Sequence, residues 1–314
     1  MTPAAGAFSV APFVREIGRG KDGARALSLE RARELMAAIL AGEVDDLALG
    51  AVLLALRMKG ESATEIAGFR DALEPHLVRV APVTPGWVLI PSYNGARSIA
   101  NLVPLLALLL ARRGVPVLVH GQGSEPAFVA RPRVTSAAIF AALELAPCLP
   151  SEAPARSADG LPAFVELAAL CPALARLIAL RARLGVRNVA HTLAKVLRPV
   201  SGPCLLVSSF THPEFGRMQA ELFRSSGEHA LTMRATDGEA VVSARRTQAV
   251  DCWRNGVCTP AIAAQPIADA LATLPTADLA ATAQWTRDVL RGVCPAPPAL
   301  LAQVELIERE LRAP

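Results

Sequence analysis

Aromatic rings and long apolar runs are both scarce. The 314 residues include one tyrosine, three tryptophans and nine phenylalanines, which leaves little for nucleobases to stack on and makes stacking a minor binding device at most. The longest apolar run, Leu102 to Ala111, contains Pro104 and stops at Arg112 and Arg113, well short of the roughly 20 residues that a membrane-spanning helix requires. The opening residues lack the basic start and continuous apolar stretch of a secretory leader. Six cysteines stand singly, with neither Cys-x-x-Cys spacing nor a neighbouring cluster of histidines. They read as reduced thiols, and no zinc motif is legible. A cytoplasmic protein without a membrane anchor, a resident metal or another cofactor is therefore expected.

Carboxylates are also missing, though only locally. No Asp or Glu occurs from Pro75 to Ser124 or from Leu167 to Pro213, while arginine continues through both stretches. The formal net charge of +4 is modest, so its distribution matters more than its size: the middle of the chain should carry positive potential. About half of the residues are apolar (52%), enough to bury a large core in two domains or one.

Apolar residues recur at three- and four-residue spacing over Leu27 to Ala41, Leu47 to Lys59 and Thr64 to His76, predicting three helices punctuated by Gly42, Gly60 and Pro75. Val80 to Gly86 holds two prolines and a glycine and reads as a linker. The period then changes. Trp87 to Ile90 predicts a strand, Ile99 to Arg113 a helix and Val115 to Val119 a second strand, which together make a βαβ unit. Cys204 to Ser208 and Ala230 to Arg234 predict further strands around a helix over Glu214 to Ser225, so a mainly parallel sheet is expected. Cys148 to Pro162 reads as an irregular surface loop, and Ala277 to Arg291 and Pro298 to Arg312 as closing helices. The fold class is α/β, with a helical domain over residues 1–80 and a larger α/β domain over 81–314.

Two segments could hold anions. Pro91 to Ser98 links a strand to a helix, where α/β folds bind ligands and where a helix N-terminus offers free N–H groups. Ser92, Asn94, Gly95, Arg97, Asn101 and His120 form a possible phosphate cleft there, although a single glycine fits neither the Walker nor the dinucleotide pattern and an ordinary turn would read the same. In Arg181 to Arg198, the residues Arg187, His191, Lys195 and Arg198 recur at helical spacing as one basic face, without the acidic partners that solvated faces usually carry. Asp237-Gly238-Glu239 reads as a turn. Ala240, Val241 and Val242 add no metal ligand, and Arg245 and Arg246 follow.

These strings carry a resemblance. EIGRG (Glu16 to Gly20), LALRMKGE (Leu54 to Glu61), IPSYNGAR (Ile90 to Arg97), VHG (Val119 to Gly121), GVRNVAHTLAKVLRP (Gly185 to Pro199), His212 to Glu214 and Asp237 to Glu239 resemble the anthranilate phosphoribosyltransferase-like DNA-binding proteins of the YbiB type. The likeness extends over nearly the whole chain. It implies the glycosyltransferase family 3 fold of the phosphoribosyltransferases and nucleoside phosphorylases, with helices near residues 172–195 joining the N-terminal ones in space, and a homodimer. Anthranilate phosphoribosyltransferases themselves have a GTGGD loop where Pro91 to Gly95 stands, a lysine where Val119 stands, and a magnesium-binding Asp-Glu pair that falls at Ala240 and Val241.

The expectation that follows is sequence-independent nucleic-acid binding, to DNA or RNA, by a fold that has lost its magnesium and pyrophosphate motifs. No catalytic residue is assigned. Arg187, Asn188, His191, Lys195, Arg198, Arg245 and Arg246 are the expected phosphate contacts. The alternatives are an active glycosyl or phosphoribosyl transferase using the cleft residues on another anionic sugar, and a scaffold for an acidic protein.

Overall fold

The computed structural model describes residues 8–123, 133–244, 248–264 and 274–312. The chain divides into two compact units, one of Met1–Leu77 with Cys171–Leu197 and one of Val78–Leu170 with Arg198–Pro314.

The first unit is helical. Its main helices are Leu29–Ala41, Asp46–Lys59 and Ala63–Leu73, and the short helices Ala11–Ile17 and Gly20–Gly23 precede them. Ser28, Asp45 and Ser62 cap the three by accepting from backbone N–H groups of their own first turns. Gly68 lets Ala63–Leu73 lie close against Leu29–Ala41, because a Cβ there would come within 2.3 Å of the Leu29 carbonyl oxygen. The buried Glu65 ties the unit together: one carboxylate oxygen accepts from Leu27 N–H at 3.0 Å, and the other from Ser62 N–H at 2.8 Å and Lys59 Nζ at 2.7 Å.

The second unit is built on a seven-stranded sheet, β1 Trp87–Ser92, β2 Val117–Gly121, β3 Ala163–Glu166, β4 Cys204–Phe210, β5 Ala230–Arg234, β6 Val250–Arg254 and β7 Val257–Ile262. The spatial order is β3-β2-β1-β4-β5-β6-β7; the first five strands are parallel, and the last two pairings, β5 with β6 and β6 with β7, are antiparallel. The expected mainly parallel sheet is present. β1, β2 and β4 are buried almost throughout, which is why they read as continuous apolar runs. Val88, Ile90, Val119, Leu205 and Val207 share one core with Val103, Leu106 and Leu110 of helix Val103–Arg112 and with Val304 and Ile307 of helix Pro298–Arg312. Among the described residues no helix is long and apolar enough to cross a membrane, and all six cysteines are free.

Two expectations are corrected, and one element is unexpected. Cys148 to Pro162 is not wholly irregular, because Ala153–Ala158 is helical within it. The helix expected from Ile99 starts at Val103, where the Asn101 side chain accepts from Val103 N–H at 3.1 Å, because Pro104 has no N–H to bond back to residue 100 and fits only the first turn of a helix. The sheet also continues past β5 into an edge hairpin, β6–β7, that the strand pattern does not predict. It turns at Asn255 and Gly256, with φ of 50° and 78°, and Asn-Gly is the strongest local signal for such a turn.

Gln303 on the last helix anchors the segment that follows Glu239. Its buried amide accepts from Val242 N–H at 2.9 Å and donates to the Ala240 carbonyl at 3.4 Å. Gln303→Leu should keep the apolar packing and orphan the Val242 N–H, at a cost of about 1–3 kcal/mol. A lowered urea midpoint would register this, and an unchanged midpoint would show that the amide is not needed.

Candidate functional site

The strand order reverses between β1 and β4, so the C-terminal edge of those strands is where an open α/β sheet leaves a crevice. The loop Tyr93 to Ser98 leaves β1 at this point. Its backbone N–H groups do converge as an anion site should, and carboxylates of the chain fill it. Glu239 Oε1 accepts from Asn94 N–H at 2.8 Å and Gly95 N–H at 2.5 Å. Asp237 Oδ2 accepts from the N–H groups of Arg97, Ser98 and Ile99 at 3.0, 2.7 and 3.4 Å. Asn94 Nδ2 donates to the Gly238 carbonyl, and Arg133 Nη1 donates to the carbonyls of Gly95 and Asp237 at 2.9 and 3.0 Å.

Local geometry requires these residue types. Gly238 has φ of 96°, and a Cβ on it would lie 2.6 Å from the Asn94 side chain. Asp237 accepts a left-handed conformation at φ 51°, a strain that its hydrogen bonds offset. Partial burial alone would raise its carboxyl pKa, but the bonds from Ser98, Arg97 and Ile99 and the Arg133 guanidinium outweigh that and hold it below its ordinary value.

Beneath the loop lies a closed polar cluster. Ser92 and Ser136 hydroxyls are 2.7 Å apart, Asn101 Nδ2 donates to Ser136 Oγ at 3.2 Å, and Tyr93 Oη is 2.7 Å from His120 Nδ1. Gly121 must lack a side chain, since a Cβ would fall 2.1 Å from the Ser92 carbonyl oxygen. His120 is fully buried, and desolvation pushes its pKa down to about 3, so the ring is neutral. Its Nε2 has no hydrogen-bond partner among the described residues. The cleft candidates Ser92, Asn94, Gly95, Asn101 and His120 are thus brought together but buried, and Arg97 alone of the set is exposed.

The basic segment is not one helix. Gly185, at φ 74°, ends the turn Arg181–Leu184, and Asn188 starts a new helix, Val189–Lys195, by accepting from Ala190 N–H at 3.0 Å. Asn188 is buried and also donates to the Leu177 carbonyl at 2.8 Å. His191 Nδ1 accepts from Asn188 N–H, and burial followed by the fields of Arg187, Arg181 and Arg57 lowers its pKa to about 3. It is neutral and is not a phosphate cation. Arg198 belongs to the other unit, where it donates to the carbonyls of His229 and Cys204 and pairs with Glu228 at 3.6 Å. Arg187, His191 and Lys195 stay in the helical unit, each half-buried. Arg245 and Arg246 lie outside the described residues.

A helical unit joined to a mostly parallel α/β unit is the fold of the anthranilate phosphoribosyltransferases. The crystal structure of that enzyme from Thermus thermophilus matches with a TM-score of 0.68 and 23% identity, covering 91% of this chain and 92% of that one. Residues 12–75 match the family model for the helical bundle domain of the glycosyl transferase family. The anthranilate phosphoribosyltransferase of Leifsonia xyli is 32% identical over 215 residues, 68% of this chain and 59% of that protein. The uncharacterized protein YbiB of Escherichia coli (strain K12) is 40% identical over 296 residues, 93% of this chain and 91% of that one. The chain belongs to the YbiB family.

The occupied loop and the neutral histidine each give a test. Asp237→Ala should free three N–H groups, so inorganic pyrophosphate should raise the melting temperature of the variant and leave the parent unmoved. Equal stabilisation of both proteins would show that the loop takes phosphate without displacing a carboxylate. His120 falls from an ordinary 6.5 to about 3 on folding, so its contribution is complete above pH 6.5 and is lost as pH falls from there toward 3. The loss should run at about 1.4 kcal/mol per pH unit. His120→Gln, which cannot titrate, should flatten the fall in urea stability between pH 6.5 and 4.5, and an unchanged slope would show that the ring is not kept neutral.

Proposed function

We propose that the chain binds nucleic acid through its phosphate backbone, without base specificity, and does not run phosphoribosyl transfer. The gathering of Arg57, Arg181 and Arg187 around His191 in the helical unit carries the binding half. They hold three guanidinium charges in one neighbourhood, and two of them fall in the carboxylate-free stretch Leu167 to Pro213. Lys195 adds to the charge of the same helical unit. Such a patch suits a row of phosphates, with counterion release supplying the affinity. A second copy would repeat the patch by twofold symmetry. Leu47, Leu54 and Met58, exposed along helix Asp46–Lys59 at 85, 48 and 80%, offer that copy an apolar face.

The clamped loop argues against transfer. Pyrophosphate leaving a sugar needs donors and a metal to receive its charge, and here Asp237 and Glu239 hold the donors. Ala240 and Val241, which stand where the resemblance puts the magnesium carboxylates, are each 1% exposed in the core. One observation favours the other reading, a transferase on a different anionic sugar: His120 Nε2 beneath the loop has no hydrogen-bond partner among the described residues. Stabilisation of the parent by ribose phosphates would support it.

Binding to duplex DNA and to single-stranded RNA across a salt series tests the main reading. Arg181→Ala with Arg187→Ala should weaken binding on every sequence and flatten the slope of log affinity against log salt on duplex DNA by about 2. Arg217→Ala with Arg291→Ala removes equal charge from exposed positions of the other unit and should leave the slope nearly unchanged. No binding at low salt, or equal competition by an acidic protein, would defeat the proposal.

A further inference from the structure

We propose that His229, Cys252 and Glu310 form a site for one zinc-class divalent ion in the α/β unit, apart from the clamped loop. Sequence spacing could not suggest it, because the three residues come from the chain just before β5, from the middle of β6 and from the last helix. The fold brings their donor atoms together. Cys252 Sγ lies 3.2 Å from Glu310 Oε2 and 3.9 Å from His229 Nε2, and His229 Nε2 lies 3.8 Å from Glu310 Oε2. A tetrahedral ion with bonds of about 2.0–2.3 Å to oxygen, nitrogen and sulfur separates its ligand atoms by about 3.3–3.8 Å. The observed triangle is close to one face of that tetrahedron. A fourth position would be left for water, as in sites with three protein ligands.

The donor set selects the metal. A sulfur and an imidazole beside one carboxylate suit zinc or cobalt, whereas magnesium and calcium require oxygen shells. Cys252 is buried, and its thiol donates to Glu310 Oε2. On ligation the sulfur–metal bond forms as the thiol proton leaves to solvent. A cation of the protein stands close by. Arg254 Nη2 lies 3.5 Å from His229 Nε2 and 3.7 Å from Glu310 Oε2, and donates to the Glu310 carbonyl at 2.7 Å. The guanidinium and the metal would therefore compete for the same two donor atoms. Arg254 is 29% exposed, so it has solvent to swing into. This competition separates a metal site from a merely structural hydrogen-bond cluster, because deleting the arginine should improve metal binding while loosening the cluster.

The experiment uses the full chain, stripped with chelator and titrated with cobalt(II), then with zinc(II) in competition. One cobalt per chain should bind, with a sulfur-to-cobalt charge-transfer band and tetrahedral visible absorption. The band should survive in Cys258→Ser/Cys294→Ser, which removes the two less buried thiols, and vanish in Cys252→Ser. His229→Gln and Glu310→Gln should each weaken zinc binding at least about tenfold, the scale found even for groups one step removed from a metal. Arg254→Ala should tighten it. Circular dichroism checks each fold, and if Cys252→Ser does not fold, the His229→Gln and Arg254→Ala titrations decide. Absence of the band in the folded parent, its survival in Cys252→Ser, or weaker binding in Arg254→Ala would overturn the proposal.

Discussion

Two carboxylates satisfying five backbone N–H groups are the constraint on which the α/β unit's functional edge depends. Asp237 and Glu239 reach back to residues 94–99, and hydrogen bonds to an ionised acceptor are shorter and stronger than neutral ones. Without them a run of donors would face no acceptor, at a cost of about a kilocalorie or more for each one that is buried. The clamp also explains its surroundings. It needs Gly238 for close approach to Asn94, and the segment that follows it places Ala240 to Val242 in the core under Gln303.

A fold hosts a reaction only while its loops keep the donors open for substrate. Here the converging N–H groups of the loop are taken by the chain's own carboxylates. Under the proposed reading, anion recognition falls to arginines of the helical unit, where no deep crevice is needed and a phosphate row supplies affinity without base contacts. That arrangement fits a chain with one tyrosine, because backbone-led binding does not need rings.

Long elements are legible because periodicity is a property of the local sequence. Pro298–Arg312 has the bounds that its pattern predicts, and β1, β4 and β5 stand where apolar runs place them. The basic segment misleads because four basic residue types at helical spacing outweigh Gly185 and Asn188, although a glycine stop followed by an asparagine cap is itself a helix break. Asn255-Gly256 is a local signal of the same kind, and it marks the edge hairpin. The clamp is out of reach in principle. Asp237-Gly238-Glu239 looks like a turn, and nothing local says that its carboxylates meet donors about 140 residues earlier. The same holds for His229, Cys252 and Glu310, whose proximity comes from strand pairing and the docking of the final helix.

The Gln303 anchor has a consequence for the order of events at the ribosome. When residues 94–99 emerge, their acceptors at 237 and 239 have not yet been made, and the segment that carries those acceptors is itself held by an amide some sixty residues further on. Until then these N–H groups have only water as an acceptor, and the loop cannot take its final form early in synthesis. The clamp can close only once residue 239 has been made, so this edge of the sheet is completed late, by contacts that span about 140 residues of chain.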